Sequence, residues 1–259
     1  MRVPVLLALV LLQATCTVNA DYAGVGFACS EVEACQSGLR CVAGTCQVSA
    51  GIDAGTDATE ADAAIVECIP TIALSDEFSG ALDAQWTVLL DNGTTAEVVD
   101  GVLVLSPAVA IPPRFARVRS AAFAMDGRRV FAEFPLMVNT DTMSVGEFLL
   151  VNSAGDAFFL RQSQGILQFG TIIDGATRIV KASSFAPSSQ RWWQMRMVAG
   201  QVLADYSADG EQWTNLAVVE ADTIVGDLMV EFAAGTPNRI NDPGQMQIDN
   251  VNSGTGLCQ

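Results

Sequence analysis

The chain has 259 residues, half of them apolar and only 16% charged, which is ample material for a hydrophobic core. Its 29 acidic against 13 basic residues leave a net charge of −16, a balance that repels nucleic-acid phosphates and anionic lipid. It contains no histidine, which excludes Ser-His-Asp and Cys-His catalysis, HExxH metal sites and any step that needs imidazole as proton carrier.

Near the start, Arg2 precedes the uncharged, mostly apolar stretch 3–12. That is too short for a bilayer, which takes about 20 residues, but it suits the apolar region of an export signal. Two processing routes fit. Val18-Asn19-Ala20 offers small residues to an ordinary signal peptidase, making 1–20 a leader. Gln13-Ala14-Thr15-Cys16 resembles a degenerate lipobox that makes Cys16 a lipid anchor, although Gln13 and Thr15 depart from the usual Leu and small residue. Either route predicts a secreted, periplasmic or outer-surface protein with no transmembrane segment.

With Cys16 set aside, six cysteines remain, as expected of an oxidising compartment. Cys29, Cys35, Cys41 and Cys46 cluster with five, five and four residues between them, without the close CxxC pairs of a zinc site. Disulfides are the expected chemistry, and four cysteines allow three pairings. Residues 21–48 are too few for a core and must be stapled. The run from Cys29 to Cys46 resembles small Cys-rich modules of exported myxobacterial proteins, and the resemblance implies Cys29 with Cys41 and Cys35 with Cys46. Cys68 and Cys258 bracket about 190 residues. A bridge between them is worth on the order of 5 kcal/mol in the chain-entropy account and requires the two ends of that stretch to meet.

Residues 49–67 form an acidic spacer of Ala, Gly, Thr and Asp that buries too little to fold by itself. From 68 to 259 short β-rich runs recur, at 85–90, 102–106, 129–138, 147–151, 157–162, 166–173, 178–182, 191–198, 202–207 and 228–233. Asn92-Gly93, Asp100-Gly101, Asp126-Gly127, Asp174-Gly175 and Asp209-Gly210 supply the positive-φ positions of tight hairpins. In 191–197 the alternation puts Trp193, Met195 and Met197 on one face and Trp192, Gln194 and Arg196 on the other. Trp86 and Trp213 read as core. With no internal repeat, the pattern predicts an all-β, two-sheet antiparallel sandwich.

The segments Leu74-Ser75-Asp76-Glu77-Phe78 with Trp86, Asp100-Gly101-x-Leu103, Arg191-Trp192-Trp193-x-x-Arg196, Tyr206-Ser207-x-Asp209-Gly210-x-x-Trp213 and Ile248-Asp249-Asn250-Val251 resemble concanavalin A-like jelly-roll domains of the laminin-G and xylosidase C-terminal kind. The resemblance implies the jelly-roll fold, shared by lectins, glycosidases, lyases and adhesive domains, and so does not choose among them. Glycosidases of this fold carry two glutamates and an aspartate on one strand, and no run here does; Glu133 and Glu231 each stand alone in apolar runs. The expected role is a non-catalytic binding module for a glycan or a cell-surface protein, through Trp192, Gln194, Arg196 and the following strand's Asp205. The alternative is a polysaccharide-active hydrolase or lyase with carboxylates assembled from separate strands. A solvent-facing carboxylate pair in a groove, one member with a raised pKa, favours the enzyme. A shallow groove with one or two aromatics and neutral polar groups favours binding. Asp76, Glu77, Asp249 and Asn250, brought together if Cys68 and Cys258 pair, are candidate oxygen ligands for a structural calcium ion.

Overall fold

The computed structural model describes residues 39–42, 45–48, 69–70, 74–109, 114–237 and 240–252. The expected leader, Cys16, Cys29, Cys35, the expected spacer, Cys68 and Cys258 lie outside these residues, as do the side chains of Cys41 and Cys46. The chain divides into two units, Met1–Ala61 and Asp62–Gln259. In the first, β1 (Leu39–Val42) and β2 (Thr45–Val48) form an antiparallel hairpin whose register places Cys41 opposite Cys46.

The second unit is built of strands. They are β3 (Ile69–Pro70), β4 (Trp86–Leu90), β5 (Thr95–Val99), β6 (Val102–Ser106) and β7 (Arg114–Ser120). Next come β8 (Arg128–Leu136), β9 (Val145–Val151), β10 (Ala157–Ser163), β11 (Ile166–Ile173) and β12 (Ala176–Ser184). The last are β13 (Trp192–Val198), β14 (Gln201–Ser207), β15 (Trp213–Glu220), β16 (Met229–Thr236) and β17 (Met246–Asp249). Among the described residues the only helical element is a 3-10 turn at Ala221–Thr223.

Two sheets face each other. One has the order β12-β11-β10-β9-β16-β7-β4, and the other β15-β14-β13-β8-β17-β6-β5, with β3 added parallel to β8. All other strand pairs are antiparallel, so the chain folds as the expected jelly-roll sandwich. The turns follow from local chemistry. Asp100-Gly101 and Asp174-Gly175 take φ of +52° and +83°, and +50° and +74°, the paired left-handed residues whose twist matches a two-residue hairpin.

Inward-facing residues of both sheets fill the core. Trp86, Phe134, Phe148, Trp193 and Phe232 form its aromatic centre, with Phe134 and Trp193 centroids 4.5 Å apart and Phe148 and Phe232 5.3 Å apart. Trp193 and Met195 are fully buried here, as the alternation in β13 predicts. Trp213 is a correction: it stands on the outer face of its sheet, half-buried, with its ring edge-on to Phe131 at 6.2 Å. Its strand is at the sheet's end, so the indole has a neighbouring ring beside it but no second sheet above it.

Candidate functional site

Alternation along the strands leaves the seven-stranded sheet with a second face, turned away from the core. Leu149, Val151, Ala157, Phe159 and Ala233 form a separate apolar cluster there, with Phe115, Ile172 and Met229 packed against it. Two glutamates interrupt this face. Glu147 of β9 lies opposite Ala233 of β16, and Leu149 lies opposite Glu231, so the glutamates are diagonal neighbours on adjacent strands. Both are nearly buried, at 7% and 5% exposure.

A carboxylate in such a place needs partners, and neighbouring strands supply three arginines. Arg161, opposite Glu147 on β10, donates through Nε at 2.6 Å and Nη2 at 2.5 Å to the single oxygen Oε1 of Glu147. The other oxygen of Glu147 accepts no hydrogen bond from a described residue. Arg119, opposite Glu231 on β7, donates through Nε at 2.6 Å and Nη2 at 2.5 Å to Oε2 of Glu231, while Arg117 Nε lies 3.6 Å from Oε1. Phenyl rings hold two of the guanidiniums in place, Arg117 over Phe115 and Arg161 over Phe159, each 4.5 Å from the centroid.

A groove of about 270 Å³ opens beside this network. Glu147 and Arg161 line it with Phe115, Ser163, Gln164 and Gln168, and with the apolar side chains of Val145, Ile166 and Pro237. Glu231 lies one diagonal step from Glu147 and is not among the residues that line the groove. Burial pushes the Glu231 carboxyl above its ordinary value; Arg119 and Arg117 pull it down and the charge of Glu147 pushes it further up. A raised acid is penalised in the folded state when it ionises, so its contribution is complete below the unfolded value near about 4.3 and is lost as pH rises through the folded value. The melting temperature of the wild type is therefore expected to fall relative to a Glu231→Gln variant as pH rises from about 4 into the neutral range. Parallel melting curves across that range would contradict this.

The candidate sugar-binding residues lie on the other sheet's outer face. Trp192, Gln194 and Arg196 follow one another along β13, and Asp205 stands opposite Gln194 on β14. Their polar atoms are turned on each other: Asp205 Oδ2 accepts from Gln194 Nε2 at 3.0 Å and Arg196 Nε at 2.9 Å, and Oδ1 accepts from Asn215 Nδ2 at 2.8 Å. Gln194 and Asp205 are 1% exposed. Trp192 is half-buried between Phe131, 6.3 Å away, and the Asp209-Gly210 turn, where a Cβ on Gly210 would meet the indole at 3.0 Å. The carboxylate of Asp209 in that turn is held below its ordinary value by backbone N–H groups of Gln212 and Glu211 and by the Ser207 hydroxyl.

The terminal segments of the sandwich do meet, through paired backbone hydrogen bonds between Asp76 and Val251 at 3.0 and 2.9 Å. The side chains there have other work. Asp76 accepts from the backbone N–H of Phe78 at 2.8 Å and from the indole of Trp86 at 2.9 Å. Asp249 accepts from the N–H of Asn250 at 2.7 Å, and the Asn250 amide donates to Glu133 at 2.5 Å. Burial raises the Asp249 carboxyl, with Glu133 and Glu77 adding to the rise. No group of three Asp, Glu, Cys or His among the described residues is arranged to hold a metal ion.

The architecture is that of the glucanase jelly roll. It is similar to Bacillus licheniformis β-glucanase, with a TM-score of 0.51 and 9% identity over 68% of this chain and 94% of that one. It is also similar to a β-1,3-1,4-glucanase (lichenase) from a mouse hindgut metagenome, at 0.50 and 12% over 68% and 95%, and to the Crh5 transglycosylase, at 0.52 and 9% over 68% and 81%. Likeness at such identities is a likeness of fold. No protein-family profile and no curated protein sequence matches this chain.

Proposed function

We propose that this chain acts on polysaccharide as a glycoside hydrolase, taking a glycan segment into the groove beside Glu147 and using Glu147 and Glu231 as its carboxylate pair. The observation that carries the reading is the placement of these two glutamates as diagonal neighbours on the sheet's outer face, one of them biased toward its protonated form. Glu231 is the proton donor to the departing glycosidic oxygen once the substrate displaces Arg119 and opens this carboxyl to the groove. A water molecule supplies the hydroxyl that replaces the leaving group at the anomeric carbon. Glu147, oriented through Oε1 by Arg161 and with Oε2 free of donors among the described residues, is the anionic partner of the oxocarbenium-like transition state. The named activities of the glucanases and the transglycosylase that share the fold support it by analogy. We place this activity outside the cell, on the strength of the leader and the cysteine pattern. No helix among the described residues is long and apolar enough to cross a membrane.

The test is release of reducing ends from a panel of glucans by the full chain and by Glu231→Gln and Glu147→Gln variants. Each variant is expected to lose about 10²–10⁴-fold in turnover while glycan binding persists. Activity that survives both substitutions overturns the reading. The second reading, an exported binding module without catalysis, is favoured by the arginine clamps on both carboxylates and by the groove's single aromatic and neutral Ser163, Gln164 and Gln168. Wild-type protein that binds a glucan and releases no reducing ends identifies that case.

A further inference from the structure

We infer that the polymer received by this groove is acidic, carrying carboxylate or sulfate groups on its sugars; the inference rests on the groove reading above. The chain has 13 basic residues in all and a net charge of −16, yet Arg117, Arg119 and Arg161 stand together on one face. Glu147, Glu231 and Asp91 face them, so the formal charges there balance, in a chain that is otherwise strongly acidic. Arg161 lines the groove, and Arg117 and Arg119 stand beside it on the same face. Each guanidinium stays reachable, with side-chain exposures of 30%, 34% and 22%. Arg119 and Arg161 spend Nε and Nη2 on their glutamates, and their Nη1 groups donate to no described residue. Arg117 is held most loosely, at 3.6 Å from Glu231 and 4.0 Å from Asp91.

The shape of the donors matters as much as their charge. A guanidinium presents a planar fork that matches the two oxygens of a carboxylate or sulfate. Phe115 and Phe159 stack under Arg117 and Arg161, so little side-chain freedom is lost when an anion binds. Beyond about 8 Å at physiological salt the rest of the acidic surface is screened, so an anion that reaches this face meets balanced charges and open guanidinium edges rather than the net charge of the chain. A neutral glucan has no group that matches the open edges of these guanidiniums.

The experiment is affinity electrophoresis of the full chain in gels containing polygalacturonate, the same polymer with its carboxyl groups reduced, a sulfated galactan, or a neutral β-glucan. At least tenfold tighter binding to polygalacturonate than to its reduced form marks a uronate ligand. The same preference for the sulfated galactan alone marks a sulfate ligand. In either case Arg117→Gln is expected to weaken binding roughly tenfold while the protein stays folded, and Arg161→Gln to weaken it at least as much. Equal or tighter binding of the neutral polymers, lost in Phe115→Ala, overturns the acidic ligand and leaves the groove reading standing. Folded protein that binds none of the four overturns both.

Discussion

Replacing Trp193 with alanine is expected to cost about 3–5 kcal/mol of folding free energy, the range for removing a large buried aromatic. Three separate losses combine. The indole is fully buried and lies 4.5 Å from the Phe134 ring and 6.2 Å, edge-on, from Phe185. Its removal opens a cavity where the two sheets meet, and packed neighbours collapse into it only partly. Its Nε1 donates to the carbonyl of Gln190 at 2.9 Å, and that carbonyl is left without its partner. Gln190 in turn accepts through its side chain from the N–H of Ala186, so the loop before β13 loosens as well. Trp193→Phe keeps most of the ring and loses the hydrogen bond, and is expected to cost less than half as much. Urea unfolding of the two variants is the measurement. A cost below about 1 kcal/mol for the alanine variant would contradict the placement of this indole in the core. Trp192→Ala, one residue earlier on the outer face, removes a half-buried ring and is expected to cost less than Trp193→Ala.

That contrast between adjacent tryptophans was legible in the sequence, because alternation in a strand needs nothing beyond the strand itself. The ten expected runs all became strands, most within two residues of their ends. Strands β5, β7, β15 and β17 were not visible. β7 reads Arg-Phe-Ala-Arg-Val-Arg-Ser, and its inward positions carry only small or branched residues, Ala116 and Val118. Its outward positions, Phe115, Arg117 and Arg119, belong to the charged face and give the run the look of a polar loop. β17 is four residues long, and β5 and β15 end the eight-stranded sheet, where burial is slight.

The groove was hidden for a different reason. In the sequence Glu231 is a lone carboxylate in an apolar run, and nothing local says which other strand supplies its neighbour. Its neighbour Glu147 comes from a strand about 80 residues away, and their meeting depends on the order β10-β9-β16-β7, which no local pattern encodes. A signal was nonetheless present. A single glutamate within Val-Gly-Glu-Phe-Leu-Leu-Val or Met-Val-Glu-Phe-Ala-Ala-Gly cannot be buried without a cation, and the chain has few cations to offer. The outward arginines of β7 and β10 answer that need. The Trp192 patch shows the converse limit. Its residues do share a face, but the shift in register between Ala204 and Asp205 and the reach of Asn215 turn Asp205 inward on its own neighbours.

Gly235→Ala is expected to damage the groove without touching either glutamate. Gly235 lies opposite Phe115 in the β16–β7 register, and the phenyl ring covers it so closely that a Cβ would sit 2.0 Å from Cδ1 and 2.1 Å from Cε1. No methyl group fits there, so the ring must leave. Because the ring lines the groove and carries the Arg117 guanidinium, its displacement alters the apolar wall and frees the least-held cation together. The expected cost in stability is about 1–3 kcal/mol, the usual range for forcing atoms into a filled site, with a loss of glycan affinity alongside. Phe115→Ala in the same chain removes the collision. The double variant should therefore be more stable than the sum of the single changes by about 0.5–3 kcal/mol, while affinity stays low because the ring is absent. The contrast with Gly170 sharpens the test. There a Cβ would lie 2.1 Å from the backbone carbonyl oxygen of Arg178, and no side-chain deletion relieves it, so Gly170→Ala combined with Phe159→Ala should show no such recovery. Strict additivity of Gly235→Ala and Phe115→Ala in a double-mutant cycle would mean that the ring does not rest on the glycine, and the groove wall would have to be built another way.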